Sequence, residues 1–156
     1  MNRKHLVVMV VVALVGVTPA VALASSHITS TPVSKGSADS FRVVDPNGGL
    51  RLLLATAPTD VDIRKVTLAA GTATGWHGHH GSSLVIVDSG QLTLTEARGS
   101  RCLSETYSTG AAFAHPSDLH NLTNTGGTTA AFHIIYFLPA GSPPAPLTGA
   151  QPAACS

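Results

Sequence analysis

Between residues 41 and 138 the apolar residues come in short, β-branched runs, and each run ends at a cluster of turn-forming residues. The punctuation is Asp45-Pro46-Asn47-Gly48-Gly49, Ala70-Gly71, Asp88-Ser89-Gly90, Arg98-Gly99, Thr109-Gly110 and Thr125-Gly126-Gly127. Runs of this length cannot supply the sustained 3.6-residue period of an amphipathic helix, but they suit half-buried strands. We therefore expect strands over 50–56, 61–69, 84–88, 91–96, 111–114, 119–124 and 130–138. Turn signals at this spacing predict an all-β sandwich or barrel. A length of 156 residues allows one domain. The chain is 44% hydrophobic and 11% charged, too apolar for a disordered chain.

The N-terminus reads differently from the rest. Asn2-Arg3-Lys4-His5 is a short basic segment, Leu6 to Val17 is apolar, and Ala22-Leu23-Ala24 fits a small-residue cleavage site. The apolar stretch borders on a membrane span, but Gly16, Thr18 and Pro19 weaken its second half. Residues 1–24 are thus predicted to be a signal peptide cut after Ala24, leaving a secreted or extracytoplasmic protein without a stable membrane anchor. Residues 25–40, rich in Ser, Thr, Lys and Gly, read as a flexible lead-in. The body of the domain spans 41–140, and 141–156 reads as a Pro-rich strap. Two cysteines remain, Cys102 and Cys155, and an oxidising compartment favours their pairing. A bridge would tie the strap to the body.

Without Arg3 and Lys4 the chain has seven Lys and Arg against eight Asp and Glu, a net charge of −1. No basic block is present to neutralise phosphates, which argues against a nucleic-acid partner. Histidine is the unusual component. Six of the eight histidines lie between residues 77 and 133. In Trp76-His77-Gly78-His79-His80-Gly81, strand alternation points His77 and His79 one way and His80 the other. Two neutral imidazoles on one face make a metal-binding pair. The other reading is a polar pair in a solvated barrel mouth.

The frame around these histidines resembles the cupin family. Gly71-x5-His77-x-His79-x3-Ser83-x6-Gly90 resembles cupin motif 1, with Ser83 at the glutamate position. Gly110-x5-Pro116, followed by His120-x3-Asn124, resembles motif 2, with Asp118 at the glycine position and a gap before His120 that is one residue short. The resemblance covers roughly residues 45–140. It implies a single cupin-type jelly-roll β-barrel, all-β, in which His77, His79 and His120 hold one divalent metal. Zinc, iron, manganese, nickel and copper are not distinguished, and a barrel that kept its histidines but lost the ion is the alternative. Such barrels commonly dimerise, so the resemblance leaves a homodimer open. Three neutral imidazoles leave the full +2 of an ion uncompensated, which favours an anionic small-molecule ligand in an open position.

The remaining polar residues have plainer readings. His115, before Pro116, is expected to face solvent or the barrel mouth. His133 lies in a run apolar on both sides and is expected to be a hydrogen-bonded core histidine, or else a pocket residue supplying the polarity that Ser83 lacks. Ser83 lacks the sequence frame of a nucleophile. Trp76 is expected to pack on the barrel wall. Val85 and Val87 should follow Ser83 on the inner face and make an apolar floor. Asn124 reads as a structural hydrogen bonder, and Gly71, Gly90 and Gly110 as turns needing positive φ. Among motif residues only Asp88 and Asp118 are acidic, and Asp88 should face outward. No general base is visible, so a binding protein is favoured over a metal-dependent dioxygenase- or isomerase-like enzyme.

Overall fold

The computed structural model describes residues 27–45, 47–48 and 53–156. The predicted signal peptide, the start of the predicted strand 50–56 and several turn residues near 46–52 lie outside the described residues. Twelve strands and one 3-10 turn, Ala153–Cys155, make up the regular structure of the rest. The first sheet contains, in spatial order, β1 (Ile28–Ala38), β4 (Thr59–Leu68), β11 (Ala130–Pro139), β6 (Ser82–Ser89) and β9 (Ala112–His115). The second contains β12 (Leu147–Thr148), β5 (His77–Gly78), β10 (His120–Thr123), β7 (Gln91–Arg98) and β8 (Arg101–Ser108). A separate hairpin pairs β2 (Phe41–Val43) with β3 (Leu53–Ala55). Every pairing is antiparallel, and neighbours in space are mostly distant in sequence, as in a jelly roll.

Alternation along the strands builds the interior. On β11 the buried residues are Ala130, Phe132, Ile134, Tyr136 and Leu138, with the intervening residues only half-buried. On β6 they are Ser83, Val85 and Val87, so the expected apolar floor is present. Leu92, Leu94 and Leu122 face them from the second sheet and complete the core.

Two turns show why the chain can change sheets. Gly71, Gly90 and Gly110 all adopt positive φ, as expected. At Gly90, between β6 and β7, φ is 81° and an added Cβ would lie 2.8 Å from the Cα of Ala130. Both the backbone angle and the close approach require glycine there. Asn124 is fully buried and ties three segments together. Its side-chain nitrogen donates to the carbonyls of Leu68 and Thr128, and its oxygen accepts from the Gly126 amide.

Two expectations are corrected. Within the expected flexible lead-in, Ile28–Ala38 is instead β1 and pairs with β4 from Ile28↔Leu68 to Ala38↔Thr59. The segment is mostly exposed, so its polar composition suits an edge strand that gains its order from main-chain hydrogen bonds rather than burial. The domain body therefore begins near Ile28 instead of residue 41. β8 was likewise not expected: Arg101–Ser108 is polar and mostly exposed, and it pairs along its length with β7.

The C-terminal segment runs extended across the barrel. Thr148 pairs with His77, and the Gly149 amide donates to the carbonyl of Trp76. The chain then reaches Cys155, which forms a disulfide with Cys102 on β8. The strap is thus fixed at both edges of the second sheet.

Candidate metal centre

One level of each sheet carries the polar side chains. Asp62, Tyr136, Ser83 and His115 stand side by side in a row across β4, β11, β6 and β9. His77, His120 and Glu96 form the matching row across β5, β10 and β7. All seven are buried. The two rows meet inside the barrel. The His115 ring centre lies 3.8 Å from that of His120, and the Tyr136 ring lies 4.9 Å from His79.

His77, His79 and His120 converge as expected, with one ring nitrogen of each within 4.8 Å of the others. The backbone orients two of them. Nδ1 of His77 donates to the Gly75 carbonyl at 2.8 Å, and Nδ1 of His120 donates to the Asp118 carbonyl at 3.0 Å. A carbonyl oxygen can only accept, so these contacts place the proton on Nδ1 and leave Nε2 with a free lone pair. Metal-ligating histidines are commonly held this way. Nδ1 of His79 is buried without a hydrogen-bond partner among the described residues, a state that ordinarily calls for one. A trio of neutral, buried imidazoles with oriented lone pairs fits a divalent transition ion.

Burial holds the three rings neutral. It lowers the His77 pKa below its ordinary value, with the Gly75 carbonyl opposing. It lowers His79 to about 4, helped by the neighbouring histidines. It lowers His120 to about 3, against the pull of the Asp118 carbonyl. Burial also keeps the Tyr136 phenol protonated, raising it to about 12.

Two other histidines depart from expectation. His115 is not in a solvent-facing loop. It is 3% exposed on β9, directly across from Ser83, because pairing with β6 turns Phe113 and His115 inward. Neither of its ring nitrogens has a hydrogen-bond partner among the described residues, although Nε2 lies 3.5 Å from Oε2 of Glu96. His133 is neither in the core nor in the pocket. It occupies the outward phase of β11 and pairs with the exposed Asp88, Nδ1 to Oδ2 at 2.8 Å. The run around it is apolar on both faces, so the sequence did not reveal the phase. His80 is exposed, as alternation requires, and Asp118 is exposed and contributes its backbone carbonyl.

Glu96 is the residue that sequence reasoning missed. It lies between the two motifs, directly across from His120 in the β7–β10 pairing, and is 8% exposed. Its Oε1 accepts from Arg98, at 2.7 Å from Nε and 2.6 Å from Nη2. The available signal was alternation, since Leu92, Leu94 and Glu96 share a face.

A cavity of about 440 Å³ opens beside the histidines. Its walls are mainly apolar, with Val85, Phe113, Phe132 and Ile134 on the first sheet and Leu94 and Leu122 on the second. Pro144, Ala145, Pro146 and Thr148 of the strap border it.

No protein-family model and no curated protein sequence matches the chain. Solved structures do match. An oxalate oxidase aligns at 22% identity and a TM-score of 0.50, over 56% of this chain and 45% of that one. A cupin superfamily protein from Desulfitobacterium hafniense DCB-2 aligns at 14% identity and 0.49, over 72% and 79%. A cupin domain from Bordetella pertussis Tohama I aligns at 20% identity and 0.42, over 63% and 92%. The chain thus spans less than half the length of the matched oxalate oxidase. At such identities the likeness concerns the fold. The oxalate oxidase match, together with the two antiparallel sheets in jelly-roll order, shows that this chain has a cupin-type fold.

Proposed function

We propose that the protein binds one divalent transition metal through His77, His79 and His120, and takes a small anionic organic ligand in the adjoining cavity. The observation that carries this reading is the convergence of three buried imidazoles, two with their tautomer fixed by backbone carbonyls. Charge accounting supports the ligand class. Each buried carboxylate near this end already has a cation: Asp60 has Lys35, Asp62 has Arg64 and Glu96 has Arg98. None is left to balance an ion held by neutral nitrogen, so the balance falls to an external anion.

The disulfide and the basic-then-apolar N-terminus support export to an oxidising compartment. A second reading, a metal-dependent enzyme acting on a small organic compound, draws on the Glu96–His115 pair. It places a buried carboxylate and an imidazole against His120, the kind of group that can hold a proton beside a reacting ligand.

Zinc titration of the chelator-stripped protein tests the main reading. One equivalent should bind, and His120→Ala should weaken binding by at least about a hundredfold while leaving a cooperative melt. Equal zinc affinity in the two folded proteins would overturn it.

A further inference from the structure

Arg64 is the unusual residue of the first sheet. β4 turns its even-numbered residues inward, and Arg64 is held in the inward phase between Asp62 and Val66. It stands across from Ile134 on β11 and lines the cavity. Its side chain is 23% exposed. One contact fixes the guanidinium: Nε donates to Oδ1 of Asp62 at 2.9 Å. Beyond Asp62, the guanidinium has no hydrogen-bond or ion-pair partner among the described residues. A guanidinium anchored at Nε presents its end-on fork in a fixed direction, the arrangement that receives a carboxylate through two parallel bonds.

Tyr136 is the second donor. It is 7% exposed, stands directly across from Asp62, and lines the same cavity. Its hydroxyl has no hydrogen-bond partner among the described residues, and Arg64 lies two residues along β4 from Asp62, the residue paired with Tyr136. In Arg64's own row the remaining wall is Ile134, Val85 and Phe113, which offers no polar side-chain atom, while Ser83 and His115 complete the row of Tyr136.

We propose that Arg64 and Tyr136 form a carboxylate-recognition subsite, and that the ligand of the cavity is a small organic carboxylate whose apolar body lies on the Val85, Phe113 and Ile134 wall. The proposal rests on the reading of this cavity as the ligand site, and Arg64 stands one row along the first sheet from the row of Ser83 and His115. Asp62 offsets the full charge of Arg64, so the selectivity comes from directed donors. It therefore discriminates between a carboxylate and a neutral molecule of the same shape.

The test is calorimetric titration of the full disulfide-bonded protein with benzoate and with benzamide, with and without one equivalent of zinc. Benzoate should bind about tenfold or more tighter than benzamide, in the metal-free protein as well. Tyr136→Phe should reduce that ratio several-fold, and Arg64→Gln should abolish it. Removing Arg64 leaves Asp62 unpaired and can unfold the domain, so Arg64→Lys is the second variant. It keeps the charge, loses the fork, and should lose most of the ratio with a retained melt. Zinc affinity should be unchanged in Arg64→Lys. Equal binding of benzoate and benzamide, no saturable benzoate binding, or a ratio that survives in folded Arg64→Lys and Tyr136→Phe would overturn the proposal. Failure of zinc to bind with the benzoate preference intact would instead overturn the metal reading alone.

Discussion

The two ends of the barrel interior are made by the same strands and differ only in level along them. At one end, Leu68, Val87, Leu92 and Ala130 are almost completely buried and purely apolar. Two or three inward positions further along, β4, β6, β7 and β11 place Asp62, Ser83, Glu96 and Tyr136 on the same inner face. The apolar end is a packed core whose burial stabilises the fold. The polar end adds little to stability, since it withdraws imidazoles from water and leaves ring nitrogens of His79 and His115 unpartnered. Stability and chemistry are thus separated by distance along each strand, while alternation keeps both inside.

The largest effect should come from the apolar end. Leu92 is fully buried and lies outside the cavity lining. Leu92→Ala should destabilise the domain by about 3 kcal/mol in urea denaturation, the range for a large-to-small change in a closed core. Zinc affinity of the folded variant should not change. A loss of zinc affinity without unfolding would show that the two ends are coupled.

A smaller effect is expected from restoring charge at the polar end. Ser83 is buried between Tyr136 and His115 in its row and borders the open cavity. Ser83→Glu should tighten zinc binding about tenfold, by placing a carboxylate beside the ion. Manganese and iron should gain more than copper, because the oxygen ligand is harder. The opposing effect is overpacking, which would lower stability by about 1–3 kcal/mol. Zinc titration and a melting curve for each protein separate the two. A variant that folds like its parent yet binds no better would mean the histidines are not arranged around an ion.

The polar end should also give a pH dependence, confined to the metal-free protein. His79 and His120 fall from an ordinary 6.5 to about 4 and about 3 on folding. Between those values the unfolded chain binds more protons, so stability is full above pH 6.5 and is lost as pH falls towards 4 and 3. The melting temperature of the metal-free protein should drop over that window. Leu92→Ala should lower the whole curve without altering its slope, because leucine carries no proton to exchange. A flat curve would show that the rings are solvated in the folded state.

Strands over β4, β6, β7, β9, β10 and β11 were legible because each buries one face, and burial leaves a period of two in the residue types. β1, β8 and β12 were not, because their residues are mostly exposed and their order comes from backbone pairing, to which side-chain composition is nearly blind. The same limit explains the histidines. His77, His79 and His120 stand in motif spacing that survives in one dimension. His115 and Glu96 come from different segments, and only the pairings β6–β9 and β7–β10 bring them to the polar level.

By itself the sequence determined the all-β class, the apolar inner face, the positive-φ glycines and the identity of the three converging histidines. The first three follow from alternation and local backbone sterics, which are local properties of the chain; the His77–His79 pair follows from alternation, and its convergence with His120 from the resemblance to the cupin motifs. The tertiary structure alone decided that Ile28–Ala38 is a strand, that His115 is inside and His133 outside, that Glu96 is buried beside His120, and that Arg64 and Tyr136 border the cavity. These depend on register between strands far apart in sequence. A shift of one residue in register reverses every side chain, and composition alone does not record that register.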